Sequence, residues 1–340
     1  MKKIELGHTG IIIEKNCIGC LPVQRVTKEE AVKLLKKAYE GGVNFFDTAR
    51  AYSDSEEKLG EAIKGIRDHV YIATKTQAKT AEEFWKDLDT SLQTLGVDHI
   101  DVYQFHNPSF CPLPGQENGL YDAMVEAKKQ GKIHHIGITN HSLKVAQEAI
   151  DSGLYETLQF PFSYLSGEPE MKLIEGCRKA GMGFIAMKGM AGGLIQDGRV
   201  ASAFMDTMEG VVPIWGIQRE HELDQFLEGI RQPYALTDEF KAVIEKDQAE
   251  LAGEFCRGCG YCMPCPVGIP INNCARMSLM IRRAPTAAWT SPQWQEKMNL
   301  IDNCLHCNQC ASKCPYHLDT PRLLQDNLKD YREVLAGKPL

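Results

Sequence analysis

Eight cysteines in the last third of the chain have the type and spacing to bind metal. Cys256, Cys259, Cys262 and Cys265 step by three residues and are followed by Pro266, while Cys304, Cys307, Cys310 and Cys314 step by three, three and four before Pro315. Four thiolates so arranged can wrap a [4Fe-4S] cluster. The second run has the C-x2-C-x2-C-x3-C-P form, from which the first departs by one residue. Structural zinc needs paired CxxC units or histidine ligands, and neither accounts for four evenly stepped thiols before a proline. Two [4Fe-4S] clusters are therefore expected. Cys274 falls outside both runs and reads as a core thiol.

A second set of candidate groups lies earlier, where acid–base chemistry is the prospect. The apolar run Val43-Asn44-Phe45-Phe46 ends in Asp47, and Tyr52 follows five residues later. Asp47 could cap the next helix, with Tyr52 as packing. If the run is a parallel strand, Asp47 instead sits at its carboxyl end, where barrel and open α/β enzymes place their chemistry. The same position recurs: Lys75 follows Tyr71-Ile72-Ala73-Thr74, His106 follows Val102-Tyr103-Gln104-Phe105, and Thr139-Asn140, Gln159 and Lys188 end later runs. Polar groups at six successive strand ends are hard to explain as packing.

The elements that must position these groups alternate between short apolar runs and longer amphipathic ones from Asn16 to about Gln232, the mark of repeated βα units. Eight strands are expected, at Cys17–Cys20, Val43–Phe46, Val70–Thr74, Ile100–Phe105, His134–Ile138, Thr157–Phe160, Gly183–Met187 and Val211–Trp215. Between them, patterns such as Glu29-Ala31-Val32-Leu34-Leu35-Ala38 and Phe84-Trp85-Leu88-Leu92-Leu95 repeat apolar residues at three and four, as helices do. Eight such units predict a (β/α)8 TIM barrel of the α/β class. No Gly-x-Gly-x-x-Gly follows a strand, which disfavours a Rossmann domain, although periodicity alone leaves an open sheet as the alternative. The barrel is expected over residues 1–235 and a linking helix, ended by Gly253, over 236–253. A mainly α-helical cysteine domain with its tail follows over 254–340, with helices near Asn272–Arg283 and Pro292–Ile301. Cys17-Ile18-Gly19-Cys20 lies in an apolar strand, not at a helix start, and reads as buried structural thiols.

Composition narrows the partners. A net charge of -7 argues against nucleic acid, whose binders are usually basic. The amino terminus has no apolar h-region, and no apolar stretch is long enough to span a membrane, so a cytoplasmic chain is expected. Nine of the 13 cysteines fall between Cys256 and Cys314, which points to metal rather than disulfides.

Residues 3 to about 232 resemble the aldo-keto reductase superfamily. The resemblance rests on Asp-Thr-Ala-Arg-Ala-Tyr (47–52), Ala-Thr-Lys (73–75), Gln-Phe-His (104–106), Gly-Ile-Thr-Asn (137–140) and Met-Ala-Gly-Gly (190–193). It implies a catalytic tetrad of Asp47, Tyr52, Lys75 and His106. Such a set has a physical logic. A tyrosine with pKa near 10 donates reluctantly at neutral pH, and a neighbouring ammonium makes it a better acid. Asp47 would keep Lys75 charged, and His106 would polarise a carbonyl oxygen. The resemblance further implies NADP or NAD. Thr139, Asn140 and Gln159 would meet the carboxamide and the turn Gly189–Gly193, with Gly192 and Gly193, the pyrophosphate. Lys188, Gly216 and Arg219 are further contacts, Arg219 leaning the choice toward NADP.

The cysteine domain resembles two-cluster ferredoxins, in which the fourth cysteine of each run ligates the other cluster. Applied here, Cys256, Cys259, Cys262 and Cys314 would hold one cluster, and Cys265, Cys304, Cys307 and Cys310 the other. The whole chain resembles aldo-keto reductases carrying such a domain. That implies an oxidoreductase of carbonyl or alcohol substrates, with an electron-transfer protein as a candidate partner. Two alternatives stand beside it: a redox-sensing or electron-transfer protein whose barrel only binds nucleotide, and clusters acting directly on a bound substrate.

Overall fold

The computed structural model describes residues 3–251, 255–283 and 286–339. Its first elements are a hairpin, β1 (Lys3–Glu5) and β2 (Ile12–Glu14), which sequence periodicity does not reveal because each strand has only three residues. The eight expected strands all form: β3 (Cys17–Gly19), β4 (Phe45–Asp47), β5 (Tyr71–Thr76), β6 (Ile100–His106), β7 (Ile133–Thr139), β8 (Thr157–Pro161), β9 (Gly183–Met187) and β10 (Val211–Gly216). They run parallel in sequence order, and β10 returns to pair with β3, closing a barrel. The open-sheet alternative is thereby excluded.

Helices α1 (Lys28–Glu40), α2 (Ser55–Ala62), α3 (Ala81–Leu95), α4 (Leu120–Lys129), α5 (Leu143–Ser152), α6 (Glu168–Ala180), α7 (Gly198–Thr207) and α8 (Glu220–Arg231) fall between and after the strands. Their sequences explain their ends and faces. In α1, the Thr27 hydroxyl accepts from the Glu30 amide and the Glu30 carboxylate accepts from the Thr27 amide, a reciprocal cap of two orphan donors. The buried residues of α1 are Ala31, Leu34, Leu35 and Ala38, the three-and-four spacing of one helix face.

The hairpin supplies Leu6, Ile11 and Ile13 to a buried apolar cluster with Phe45, Ala73, Val102, Ile185 and Val212. The His8 amide donates to the Gly181 carbonyl, just before β9, so the hairpin lies at the amino ends of the strands. Gly7 has φ +60°, and a Cβ there would come within 2.3 Å of the Gly183 nitrogen. The strands' carboxyl ends are left for polar residues.

By its contacts the chain divides into two units, Met1–Gly189 with Ser202–Leu236, and Met190–Ala201 with Thr237–Leu340. The second is helical: α9 (Asp238–Glu250), α10 (Ile271–Cys274), α11 (Met277–Arg283), α12 (Thr286–Trp289), α13 (Pro292–Asn299), α14 (Gln309–Ser312) and α15 (Thr320–Leu335). Gly253, expected to end the linking helix, lies outside the described residues, as does residue 254, where the cysteine domain is expected to begin. The 16 residues of α15 were not anticipated. They bury Leu323, Leu324, Leu328 and Tyr331, and Asn327 ties the helix to α11 by accepting from the Ser278 amide at 2.8 Å. No helix among the described residues is long and apolar enough to cross a membrane.

Ile13 is fully buried in the hairpin's apolar cluster. Ile13→Ala should lower the stability of the barrel's unfolding transition by about 2–5 kcal/mol, read from the urea midpoint at unchanged slope. A loss well under about 1 kcal/mol would mean that the hairpin does not complete the barrel core.

Candidate active site

Asp47, the last residue of β4, caps no helix; Asp54 holds the N-cap position of α2. Its carboxylate instead receives Lys75 Nζ, from the adjacent β5, at 2.6 Å on Oδ1. Both side chains are buried, Lys75 completely and Asp47 to within 2%. Lys75 also donates to the Thr48 carbonyl at 2.6 Å. Burial pushes the Asp47 carboxyl up and the Lys75 ammonium down, and each is opposed by the other's charge. Two opposite charges in contact, with further polar partners, are the condition under which both survive burial.

Two glutamines complete the surroundings of Asp47. Gln104 on β6 donates to Oδ2 at 3.2 Å, and Gln159 on β8 donates to Oδ1 at 3.4 Å. Gln104 also donates to the Gln159 carbonyl oxygen at 3.0 Å and accepts from the Thr139 hydroxyl at 2.9 Å. Gly137 makes room for it, since a Cβ there would lie 2.8 Å from Gln104 Cγ. Three expected cofactor contacts are thus tied into the structure: Thr139 and Gln159 through Gln104, and Asn140 by donating to the Pro108 carbonyl at 2.9 Å. Sequence analysis did not single out Gln104 as a site residue. The signal was a polar side chain inside the apolar run Val102–Phe105.

Tyr52 lies in the turn after β4, which is pinned to β5 by the Thr48 amide donating to the Ala73 carbonyl and the Arg50 amide donating to the Lys75 carbonyl. This places Lys75 Nζ 5.3 Å from the Tyr52 ring centroid. The His106 ring, at the end of β6, meets the Tyr52 ring edge-on at 5.7 Å. His106 is buried, its Nδ1 has no hydrogen-bond partner among the described residues, and burial, with Lys75 adding to it, pushes its pKa down to about 3. The four expected tetrad residues therefore stand together at the carboxyl ends of β4, β5 and β6. His141, also missed from sequence, is buried nearby, and desolvation holds it well below the ordinary histidine range, aided by Lys188 and His106. Behind the site, buried Glu56 pairs with Arg50 and accepts from Thr74 and Ser91 at 2.7 Å each.

The remaining cofactor candidates are placed as follows. Lys188 follows β9 with φ +60°; Gly216 ends β10 and is exposed; Arg219 is exposed at the N-cap of α8. Gly192 and Gly193 belong to the second unit and have φ of +68° and +94°. Cys17 and Cys20 are buried free thiols, pushed up chiefly by burial, and Cys274 is likewise buried.

In the second unit, Cys265, Cys304, Cys307 and Cys310 line one cavity together with Cys262. Burial raises Cys256, and the charges of Cys259 and Cys314 add to this, whereas the Gly258 amide and Arg276 oppose it. The donor sets thus fit soft, thiolate-bound clusters, with five of the eight cysteines around one space and Cys259 and Cys314 beside Cys256.

Comparison with known proteins agrees with this geometry. The aldo/keto reductase family model matches residues 17–242, and a 4Fe-4S dicluster domain matches residues 255–319. L-galactose dehydrogenase of Arabidopsis thaliana is 28% identical over 219 residues, covering 58% of this chain and 69% of that one. The NADH-specific methylglyoxal reductase of Escherichia coli is 26% identical, covering 54% and 65%. Among solved structures, a Bacillus halodurans aldo-keto reductase in its holo form superposes with a TM-score of 0.63 at 20% identity, covering 73% of this chain and 96% of that one, a likeness of fold. The family match over most of the chain, on a closed parallel barrel, settles the identity: the chain belongs to the aldo/keto reductase family and is an oxidoreductase carrying a 4Fe-4S dicluster domain.

Proposed function

We propose that the barrel reduces small carbonyl compounds, or oxidises the corresponding alcohols, by hydride transfer with NADP or NAD, Tyr52 serving as general acid. The observation that carries this reading is the buried Lys75–Asp47 pair beside the rings of Tyr52 and His106. A protein that only bound nucleotide would have no use for so costly an ion pair, which argues against the sensor reading.

When bound, the nicotinamide supplies the hydride. The protein's part is to handle the oxygen of the substrate. Tyr52 holds a proton for it, and the Lys75 ammonium favours the phenolate left behind. Asp47 keeps Lys75 charged and fixed. His106, neutral because its pKa is depressed, offers a hydrogen bond to the same oxygen without bringing a competing charge. Thr139, Asn140 and Gln159 would orient the carboxamide, with Lys188, Gly216 and Arg219 as further contacts. The names of the Arabidopsis and Escherichia coli relatives support small carbonyl or alcohol substrates.

For the second unit we propose one cluster on Cys256, Cys259, Cys262 and Cys314 and one on Cys265, Cys304, Cys307 and Cys310, the latter four lining one cavity together with Cys262. They would exchange single electrons with a partner protein. Thiolate-bound clusters suit a reducing compartment, which supports a cytoplasmic setting.

Anaerobically purified protein should oxidise NADPH or NADH with a panel of aldehydes and ketones. Tyr52→Phe should lower that turnover by about 10²–10⁴-fold while nucleotide binding persists; undiminished turnover would remove Tyr52 from the mechanism. Because His106 stays neutral down to about pH 3, kcat/KM for reduction should show no acid limb near 6.5. A limb there would mean that the imidazole titrates normally and is not enclosed as described. Its depressed pKa has a stability counterpart: the unfolded chain takes a proton that folded His106 refuses, so this contribution is lost as pH falls from about 6.5 toward 3. Cys307→Ala should lose one cluster's iron, and full iron content would refute the ligand set.

A further inference from the structure

Arg276 lies between α10 and α11 and is 8% exposed. A guanidinium remains charged at any ordinary pH, so burying it is costly unless an anion faces it. Among the described residues no carboxylate lies within ion-pair distance. Nη1 donates to the Gly192 carbonyl at 2.9 Å, and Nε is buried without a hydrogen-bond partner. Burial pushes the Arg276 pKa down, and the neighbouring sulfurs of Cys256 and Cys259 oppose that shift.

The slot for this cation is fitted. A Cβ on Gly258 would lie 2.6 Å from the guanidinium carbon, and one on Gly192 would lie 2.9 Å from Nη1. Both glycines have positive φ, +64° and +68°. The Gly258 amide also donates to Cys256 Sγ at 3.4 Å, so the same turn points a hydrogen bond and seats a cation toward one ligand. Arg257, stacked on the rings of Phe255 and Tyr316 at 4.9 and 4.5 Å, adds a second cation in the same segment. The cavity lined by Cys265, Cys304, Cys307 and Cys310, together with Cys262, has no arginine or lysine among its described lining residues.

We infer that Arg276 is the countercharge of the cluster on Cys256, Cys259, Cys262 and Cys314 and sets its reduction potential above that of the second cluster. An electron entering the pair therefore comes to rest on the first cluster. The inference rests on the ligation proposed above. In the step concerned, a one-electron donor protein is oxidised and the cluster reduced, no bond forms or breaks, and the cluster with its thiolates gains one negative charge. Cluster potentials respond to net charge and to hydrogen bonds on the sulfurs. A fixed cation in a buried setting favours the more negative state. Its other hydrogen bond makes the Gly192 carbonyl part of the same electrostatic assembly. Arg276 is thus a positioning residue for charge and takes no part in bond chemistry.

The test is a mediator-poised redox titration of the full-length, anaerobically purified protein, followed by electron paramagnetic resonance, with iron content measured in parallel. Wild type should show two one-electron steps. Arg276→Gln should move one step to lower potential by about tenfold in its reduction equilibrium, about 59 mV for one electron, and leave the other in place. Arg276→Lys, which keeps the charge, should restore most of the shift. A fully loaded Arg276→Gln protein with both steps unmoved, or with both moved equally, overturns the inference. Should Arg276→Gln fail to retain its cluster, Cys307→Ala decides. It disrupts the other ligand set, so the step that it keeps should be the higher of the two wild-type steps, and keeping the lower one overturns the inference. Iron for fewer than two clusters in wild type would refute the ligation itself, and with it this inference.

Discussion

The contact between Lys75 and Asp47 is the constraint on which the rest of the barrel's chemistry depends. Each charge by itself would be driven to neutralise in so buried a place, and at 2.6 Å each opposes the other's loss of charge. Removing one partner from such a pair typically costs about 3–5 kcal/mol, because the survivor is left buried and uncompensated. The pair must therefore be held in register by something rigid. Adjacent parallel strands supply this, since Asp47 lies opposite Ala73, two residues before Lys75. The polar layer then extends around the barrel: Lys75 is registered with Gln104, and Thr139 with both His106 and Gln159.

The ion pair also explains why polar residues that touch no reacting atom are needed. Asp47 retains acceptor capacity after bonding Lys75, and Gln104 and Gln159 use it. Gln104 in turn fixes the Thr139 hydroxyl. Two of the three groups proposed to orient the nicotinamide, Thr139 and Gln159, are consequently set by the same network that holds the ammonium. Preorganisation of this kind lets a site stabilise developing charge without rearranging as the reaction proceeds.

The barrel was legible in the sequence because parallel strands covered on both faces read as apolar runs and the helices between them repeat at three and four. Strand limits shifted by one or two residues where a polar site residue, such as Asp47, Lys75 or His106, continues the strand beyond its apolar part. The candidates Asp47, Lys75 and His106 were legible because they sit at those breaks. The hairpin was not, since two three-residue strands carry too little periodicity. Gln104 was overlooked because an isolated polar residue inside a strand looks like noise until its partners on three other strands are known. Residues 190–201 fall within the stretch expected as barrel, yet two of their carbonyls are taken by arginines of the helical unit: Gly192 by Arg276 and Leu194 by Arg283. Such long-range pairing leaves no local pattern.

The dicluster unit raises a problem of electron counting that its own asymmetry addresses. Nicotinamide moves electrons in pairs, as hydride, whereas a cluster normally takes one. Two clusters of equal potential would take up electrons indiscriminately, and neither would be a defined terminus. A buried arginine at one ligand set, with no arginine or lysine among the described residues lining the cavity of the other, breaks that equivalence. The pair then has a direction, with an entry cluster and a resting cluster. Exchange with a one-electron partner requires no more than this, and it can operate whether or not the hydride site shares those electrons. The cost of desolvating Arg276 thus becomes intelligible as the means of ordering two otherwise similar centres.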